Sequence, residues 1–178
     1  ILPDYTNIHF LADKEQHFTI RTKKSNLFGA ATVEGSIDND LLYQSFKMQI
    51  RHEPMFDSLN KLMSGRNADD PVYKSCKNQI SKLVDERNEH LKYVKTEYPN
   101  TFYTKFKVAG QNPEIVDVRK PNGDLDTSGQ LRLFRTQYWD NVDFRDERLL
   151  YTPVIANKLK SYMNDLTLQN PDSLIYQA

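Results

Sequence analysis

Between Leu41 and Val94 the chain carries two stripes of apolar side chains at helical spacing, joined by a short polar connector. No other feature limits the fold so strongly. Leu42, Phe46 and Ile50, then Met55, Leu59 and Leu62, recur at three- and four-residue steps, the repeat that lines one face of a helix. Pro54 removes a backbone donor and crowds the preceding turn, so a bend is expected there. Ser64-Gly65-Arg66-Asn67 ends the first stripe. Asp69-Asp70-Pro71 then opens a second, with acids at the positive end of the helix and proline where no N–H is needed. Val72, Cys76, Ile80, Leu83, Leu91 and Val94 share that second face, interrupted only by Arg87, until Pro99 stops it. Two long helices with so short a connector predict an antiparallel hairpin.

The flanks are less regular. His17-Phe18-Thr19-Ile20-Arg21 and, more weakly, Ile8-His9-Phe10-Leu11 alternate like strands and are expected to form a hairpin through Asp13-Lys14-Glu15, with Ala30 to Glu34 as a third strand. Gly35-Ser36 and Asp38-Asn39-Asp40 are turn and cap chemistry before a helix running from Leu41. Asn100 to Ala109 predicts a short amphipathic helix with Phe102, Phe106 and Ala109 inward, ended by Gly110. Gln111 to Gly129, rich in proline, glycine and aspartate, predicts a surface loop with a brief strand at Ile115 to Val118. Leu131 to Leu166 reads as helix, acidic corner, short helix and capped helix, the last opened by Thr152-Pro153. Asn170 to Ser173 predicts a turn into another helix. The expected fold is α+β, predominantly α: a short antiparallel β element over 1–35, then an antiparallel helical bundle over 36–178.

Charge and composition narrow the function classes. Twenty-four basic residues balance 24 acidic ones, which argues against a nucleic-acid binder with its electropositive face. A mean hydropathy of -0.71 and no long apolar run argue against a membrane-spanning helix. The single cysteine, Cys76, lies on the apolar stripe and reads as core rather than as a reactive thiol. The histidines His9, His17, His52 and His90 show no metal-ligand spacing, although His9 and His17 would meet across the expected first hairpin. Asp140, Asp143, Asp146 and Glu147 form the densest carboxylate cluster. A hard cation or acid–base chemistry would need them to converge; helix capping and ion pairs with Arg135, Arg145 and Arg148 account for the same residues. No cofactor or metal is expected.

Tyr138, Trp139, Phe144, Tyr151 and Tyr162 concentrate the aromatic side chains, which serve either as core or as contact surface. The expected interaction surface comprises Arg135, Tyr138, Trp139, Asp140, Asp143 and Arg148.

The same stretch carries a resemblance. Tyr138-Trp139, Asp140-Asn141-Val142-Asp143-Phe144, Asp146-Glu147-Arg148, Leu149-Leu150 and Thr152-Pro153-Val154 resemble the signature of a helical domain of uncharacterised role in Bacteroidetes envelope proteins. There it sits between a small β domain and a C-terminal thioredoxin-like domain. The first 23 residues resemble the tail of that β domain. The resemblance implies a periplasmic or cell-envelope location, lipoprotein context and association with a thiol-disulfide oxidoreductase whose redox domain lies outside this chain. The leading expectation is a non-catalytic accessory or docking region partnered by a thioredoxin-like domain of the same full-length chain or by an envelope protein. The alternative is a ligand- or peptide-binding helical module with an aromatic groove beside Tyr138, Trp139 and Arg135. A third reading, an enzyme built on the Asp140 to Glu147 acids, belongs to another class.

Overall fold

A computed structural model describes residues 7–167 and Gln169. The fold is α+β and mostly helical, with 57% of the chain in helix and a short two-stranded antiparallel sheet at the N-terminal end. Strands β1 (Thr19–Arg21) and β2 (Thr32–Glu34) are followed by helices α1 (Ile37–Met63), α2 (Pro71–Glu97), α3 (Phe102–Ala109), α4 (Thr127–Gln137) and α5 (Pro153–Ser161). A 3₁₀ turn at Glu147–Tyr151 precedes α5 and a π turn at Tyr162–Leu166 follows it. The turn expected at Asn170 to Ser173 lies outside the described residues. The chain divides into two compact units, Ile1–Thr104 and Lys105–Ala178. The division falls within α3, and the change from strand to helix near Gly35 lies inside the first unit.

The first unit is built on the α1–α2 hairpin. Leu41 and Leu42 near the start of α1 pack with Val94 near the end of α2 and with Tyr103, while Leu59 near the end of α1 packs with Cys76 and Leu83 of α2. That pairing makes the helices antiparallel. The chain stays helical on both sides of Pro54. Asp70 accepts from the Val72 N–H at 2.7 Å and from Arg66 Nη1 at 2.9 Å. These bonds, the one from Arg66 foremost, hold its carboxyl below the usual carboxylate range. Arg87, the one polar break in the α2 stripe, remains in the interface: its guanidinium lies 4.7 Å over the Phe56 ring and its Nε donates to His52 Nδ1 at 3.3 Å. The other ring nitrogen of His52, Nε2, faces both Glu86 Oε2 at 3.0 Å and Arg51 Nη2 at 3.1 Å. Glu86 Oε2 also accepts from Arg51 at 2.7 Å.

The hairpin at the N-terminal end differs from the expected one. β1 pairs with β2, Ile20 opposite Val33, and Arg21 forms an ion pair with Glu34 across the register. Ile8 to Leu11 forms no strand. Both backbone groups of Leu11 are taken by buried Asn39, whose Oδ1 accepts from the Leu11 N–H at 2.7 Å and whose Nδ2 donates to the Leu11 carbonyl at 2.8 Å. A strand ladder would need those same groups. The hairpin expected to bring His9 and His17 together is therefore absent. His9 instead stacks on Phe28 at 5.8 Å, and Phe28 rests on Phe46 of α1 at 4.8 Å. Gly35 links the sheet to α1 with φ +84, and a side chain there would also meet the His17 carbonyl at 2.9 Å; glycine answers both demands.

Helix α1 begins at Ile37, four residues before the expected Leu41, with the Ser36 hydroxyl accepting from the Asn39 N–H. Asp38 and Asn39 thus lie inside the first turn and make tertiary bonds instead of caps. Asp38 Oδ1 accepts from the Tyr103 N–H at 2.6 Å.

In the second unit, no strand forms at Ile115 to Val118. A narrow turn closes between Arg119 and Leu125, and α4 starts at Thr127, inside the stretch expected to be loop, because the Asp126 carboxylate caps it through the Gly129 N–H at 3.0 Å. Thr152 caps α5, its hydroxyl accepting from the Val154 N–H at 3.3 Å, with Pro153 at the first helical position. Thr152→Ala should cost about 1 kcal/mol, the usual value of such a cap. A urea unfolding midpoint unchanged by that substitution would show the cap to be dispensable.

Candidate functional site

The second unit gathers most of the residues singled out by the sequence. Tyr138 ends α4 and is buried, and half-buried Trp139 follows it. Their rings stand edge to face at 5.3 Å. Tyr162, just beyond α5, lies 5.5 Å from Tyr138 and 5.8 Å from Trp139, and Phe144 meets Trp139 at 5.8 Å. Offset and tilted contacts of this kind place ring edges against π faces.

Lys158 sits in this aromatic cluster. Its side chain is buried, with Nζ 4.2 Å from the centre of the Tyr138 ring and 5.9 Å from that of Trp139. The ammonium donates to the Gln111 carbonyl at 3.0 Å, which also accepts from Asn141 Nδ2 at 3.5 Å. The Tyr138 hydroxyl in turn donates to the Lys158 carbonyl at 3.2 Å. Burial lowers the Lys158 pKa and raises that of Tyr138, since both charged forms lose solvation. Residue type hides this lysine: beside it Leu159 is 49% exposed while Lys158 is 5% exposed. The legible signal was spacing, because Lys158 lies four residues after buried Val154 and so on the same face of α5.

The acidic corner is divided among separate tasks. Asp146 accepts from the Arg148 N–H at 3.2 Å, opening the 3₁₀ turn, and its two oxygens receive Arg148 Nε at 2.7 Å and Nη2 at 2.6 Å. The bond from Arg148 is the main reason its carboxyl lies below the usual range. Asp143 accepts from the Arg145 N–H at 3.1 Å and lies 3.9 Å from Lys105 Nζ. Asp140 and Glu147 are exposed. Among the described residues no set of His, Cys, Asp or Glu is arranged to hold a metal ion. Cys76, in the first unit, is buried.

No family model, curated protein or solved structure matches this chain.

Arg135 belongs to a different feature from the ring cluster. It lines an open groove of about 450 Å³ along α4 with Ser128, Leu131, Arg132, Thr136 and Tyr162. Trp139 reaches this groove only through its contact with the Tyr162 ring. Of the expected interaction surface, then, Tyr138 is core, Trp139 is half-buried core edge, Asp146-bound Arg148 and Lys105-facing Asp143 hold the corner, Asp140 is exposed, and Arg135 lines the groove. Ser128 lies before the expected start of this helix at Leu131, and Arg132, just inside it, belongs to no motif that marks it out.

Among the described residues no helix is long and apolar enough to cross a membrane.

Proposed function

We propose that this chain is a non-catalytic docking module, with Phe144, Leu150 and Tyr151 as its contact surface and a thioredoxin-like domain of the same full-length protein as its partner. One observation carries the reading: these three large apolar side chains are 68%, 69% and 91% exposed within a single short segment. Apolar side chains gathered in this way on a surface favour protein contact, and aromatic residues are enriched among those that dominate binding energy. Their backbone is well anchored. Leu149 between them is buried, Asp146 and Thr152 cap the flanking turns, and Phe144 leans on Trp139. A surface held in place before binding loses less conformational entropy when it docks.

The partner's class and the envelope location come from the resemblance around Tyr138 to Val154. Hydrogen exchange on the full-length product, compared with this chain alone, tests the reading. Protection of Phe144 to Tyr151 in the full-length product, lost on Leu150→Asp/Tyr151→Asp, is the expected result. A full-length product without a thioredoxin-like segment, or equal exchange in both forms, would sink it.

A further inference from the structure

The groove along α4 carries chemistry that docking through Phe144 to Tyr151 does not use. In this chain arginines are usually engaged. Arg21, Arg51, Arg66 and Arg148 pair with carboxylates, Arg87 bonds His52, and Arg119 bonds the Gly123 carbonyl at 2.9 Å. Among the described residues the side chains of Arg132, Arg135 and Arg145 have no ion pair or hydrogen bond, and of these three Arg132 and Arg135 line one groove. Beside them stand the Ser128 hydroxyl, the Tyr162 ring and Leu131, which is half exposed. Two uncommitted guanidiniums with an apolar strip alongside suit a ligand that brings both carboxylates and an aliphatic group.

Dimensions favour an extended chain over a compact anion. Ser128 to Thr136 spans about 12 Å of helix at 1.5 Å per residue, whereas one phosphate would occupy a single arginine fork. The helix N-terminus, the usual seat for a small anion, is already filled by the Asp126 carboxylate on the Gly129 N–H. Side chains three apart on a helix lie about 5–6 Å apart at Cβ, and alternate side chains of an extended peptide lie about 6.5 Å apart on one face. Two acids at alternate positions therefore match Arg132 and Arg135, and an aliphatic residue two positions earlier reaches Leu131.

We infer that the α4 groove binds an acidic peptide segment in extended form, two carboxylates on Arg132 and Arg135 and an aliphatic side chain on Leu131 and Tyr162. This rests on α4 alone and stands or falls separately from the Phe144–Tyr151 surface.

The test is titration of the whole chain with acetyl-Leu-Thr-Glu-Thr-Glu-Gly-amide, followed by calorimetry and by Trp139 emission, since Trp139 touches the Tyr162 ring. Saturable binding that weakens with ionic strength is expected, and Arg132→Glu/Arg135→Glu should lower the affinity by at least roughly tenfold. Arg132→Gln/Arg135→Gln should also weaken it, and circular dichroism should show both variants folded. Arg145→Glu, an arginine exposed outside the groove, and Leu150→Asp/Tyr151→Asp should leave binding intact. An absence of saturable binding, or an equal loss with Arg145→Glu, overturns the inference. So does inorganic phosphate binding more tightly than the peptide, which would make the groove a small-anion site.

Discussion

Lys158→Glu should lower the urea midpoint of the second unit sharply, while Lys158→Met should fold with stability close to that of the parent chain. The lysine is 5% exposed, with its ammonium 4.2 Å from the centre of the Tyr138 ring and bonded to the Gln111 carbonyl. Ring faces and carbonyl oxygens are both electron-rich. A carboxylate at that position would meet repulsion where the ammonium meets attraction, and a buried charge without a partner costs about 3–5 kcal/mol. Methionine keeps the unbranched volume and offers a sulfur that packs well on rings. The Gln111 residue is exposed, so its carbonyl can turn to water.

The pH dependence follows from the lowered Lys158 pKa, which burial causes. The unfolded chain holds this proton more strongly than the folded one, so stability rises as pH climbs from the folded pKa toward the ordinary 10.5. That rise should be missing in Lys158→Met. Trp139 emission during urea unfolding reads both effects, and a Lys158→Glu midpoint equal to that of the parent would show the ammonium to be unimportant.

The parts of this fold that were readable from sequence are those in which one side chain type answers one local demand. The α1–α2 stripes need burial on one face and nothing more, so Leu42, Leu59, Cys76, Leu83 and Val94 declared themselves by spacing, and Asp70-Pro71 and Thr152-Pro153 by the chemistry of a helix start. The parts that were not readable depend on partners distant in sequence. Ile8 to Leu11 alternates like a strand, but strand formation is decided by what its backbone meets, and Asn39, 28 residues beyond Leu11, takes both groups. Arg87 looks like an interruption of a stripe until Phe56 and His52 supply a ring face and an acceptor for it. Asp38 and Asn39 have the composition of caps, yet their oxygens reach Tyr103 and Leu11. At the candidate site, residue type argues for burying Leu159 in place of Lys158, although spacing puts Lys158 on the face of buried Val154, because hydrophobicity cannot foresee rings that accept a cation. The α4 groove was partly legible through Arg135. Ser128 was lost to a stretch whose turn residues, Asn122 to Asp126, extend only to the cap.

Tyr103→Phe should leave stability near neutral pH lower by only about 1 kcal/mol, the net value of one hydrogen bond, and should remove much of the chain's loss of stability at strongly alkaline pH. Tyr103 is 1% exposed and belongs to the cluster with Leu41, Leu42 and Val94. Burial pushes its hydroxyl up from 10.0 to about 12, against an opposing hydrogen bond with Ser45. The folded chain therefore keeps this proton where the unfolded chain has released it. The stabilising contribution is complete below pH 10 and is lost as pH rises through about 12. A difference of about two pKa units corresponds to roughly 3 kcal/mol, a large part of a typical domain's stability. Phenylalanine fills the same space without a proton to lose. Tyr43 and Tyr138, both also raised by burial, remain in the variant, so alkaline loss should shrink without vanishing. Urea unfolding by circular dichroism at about pH 8 and again at about pH 12 measures the two slopes. Equal alkaline losses in parent and variant would mean that the Tyr103 hydroxyl reaches solvent before unfolding, through opening of α3 from α1 at the Asp38 bond that holds its backbone.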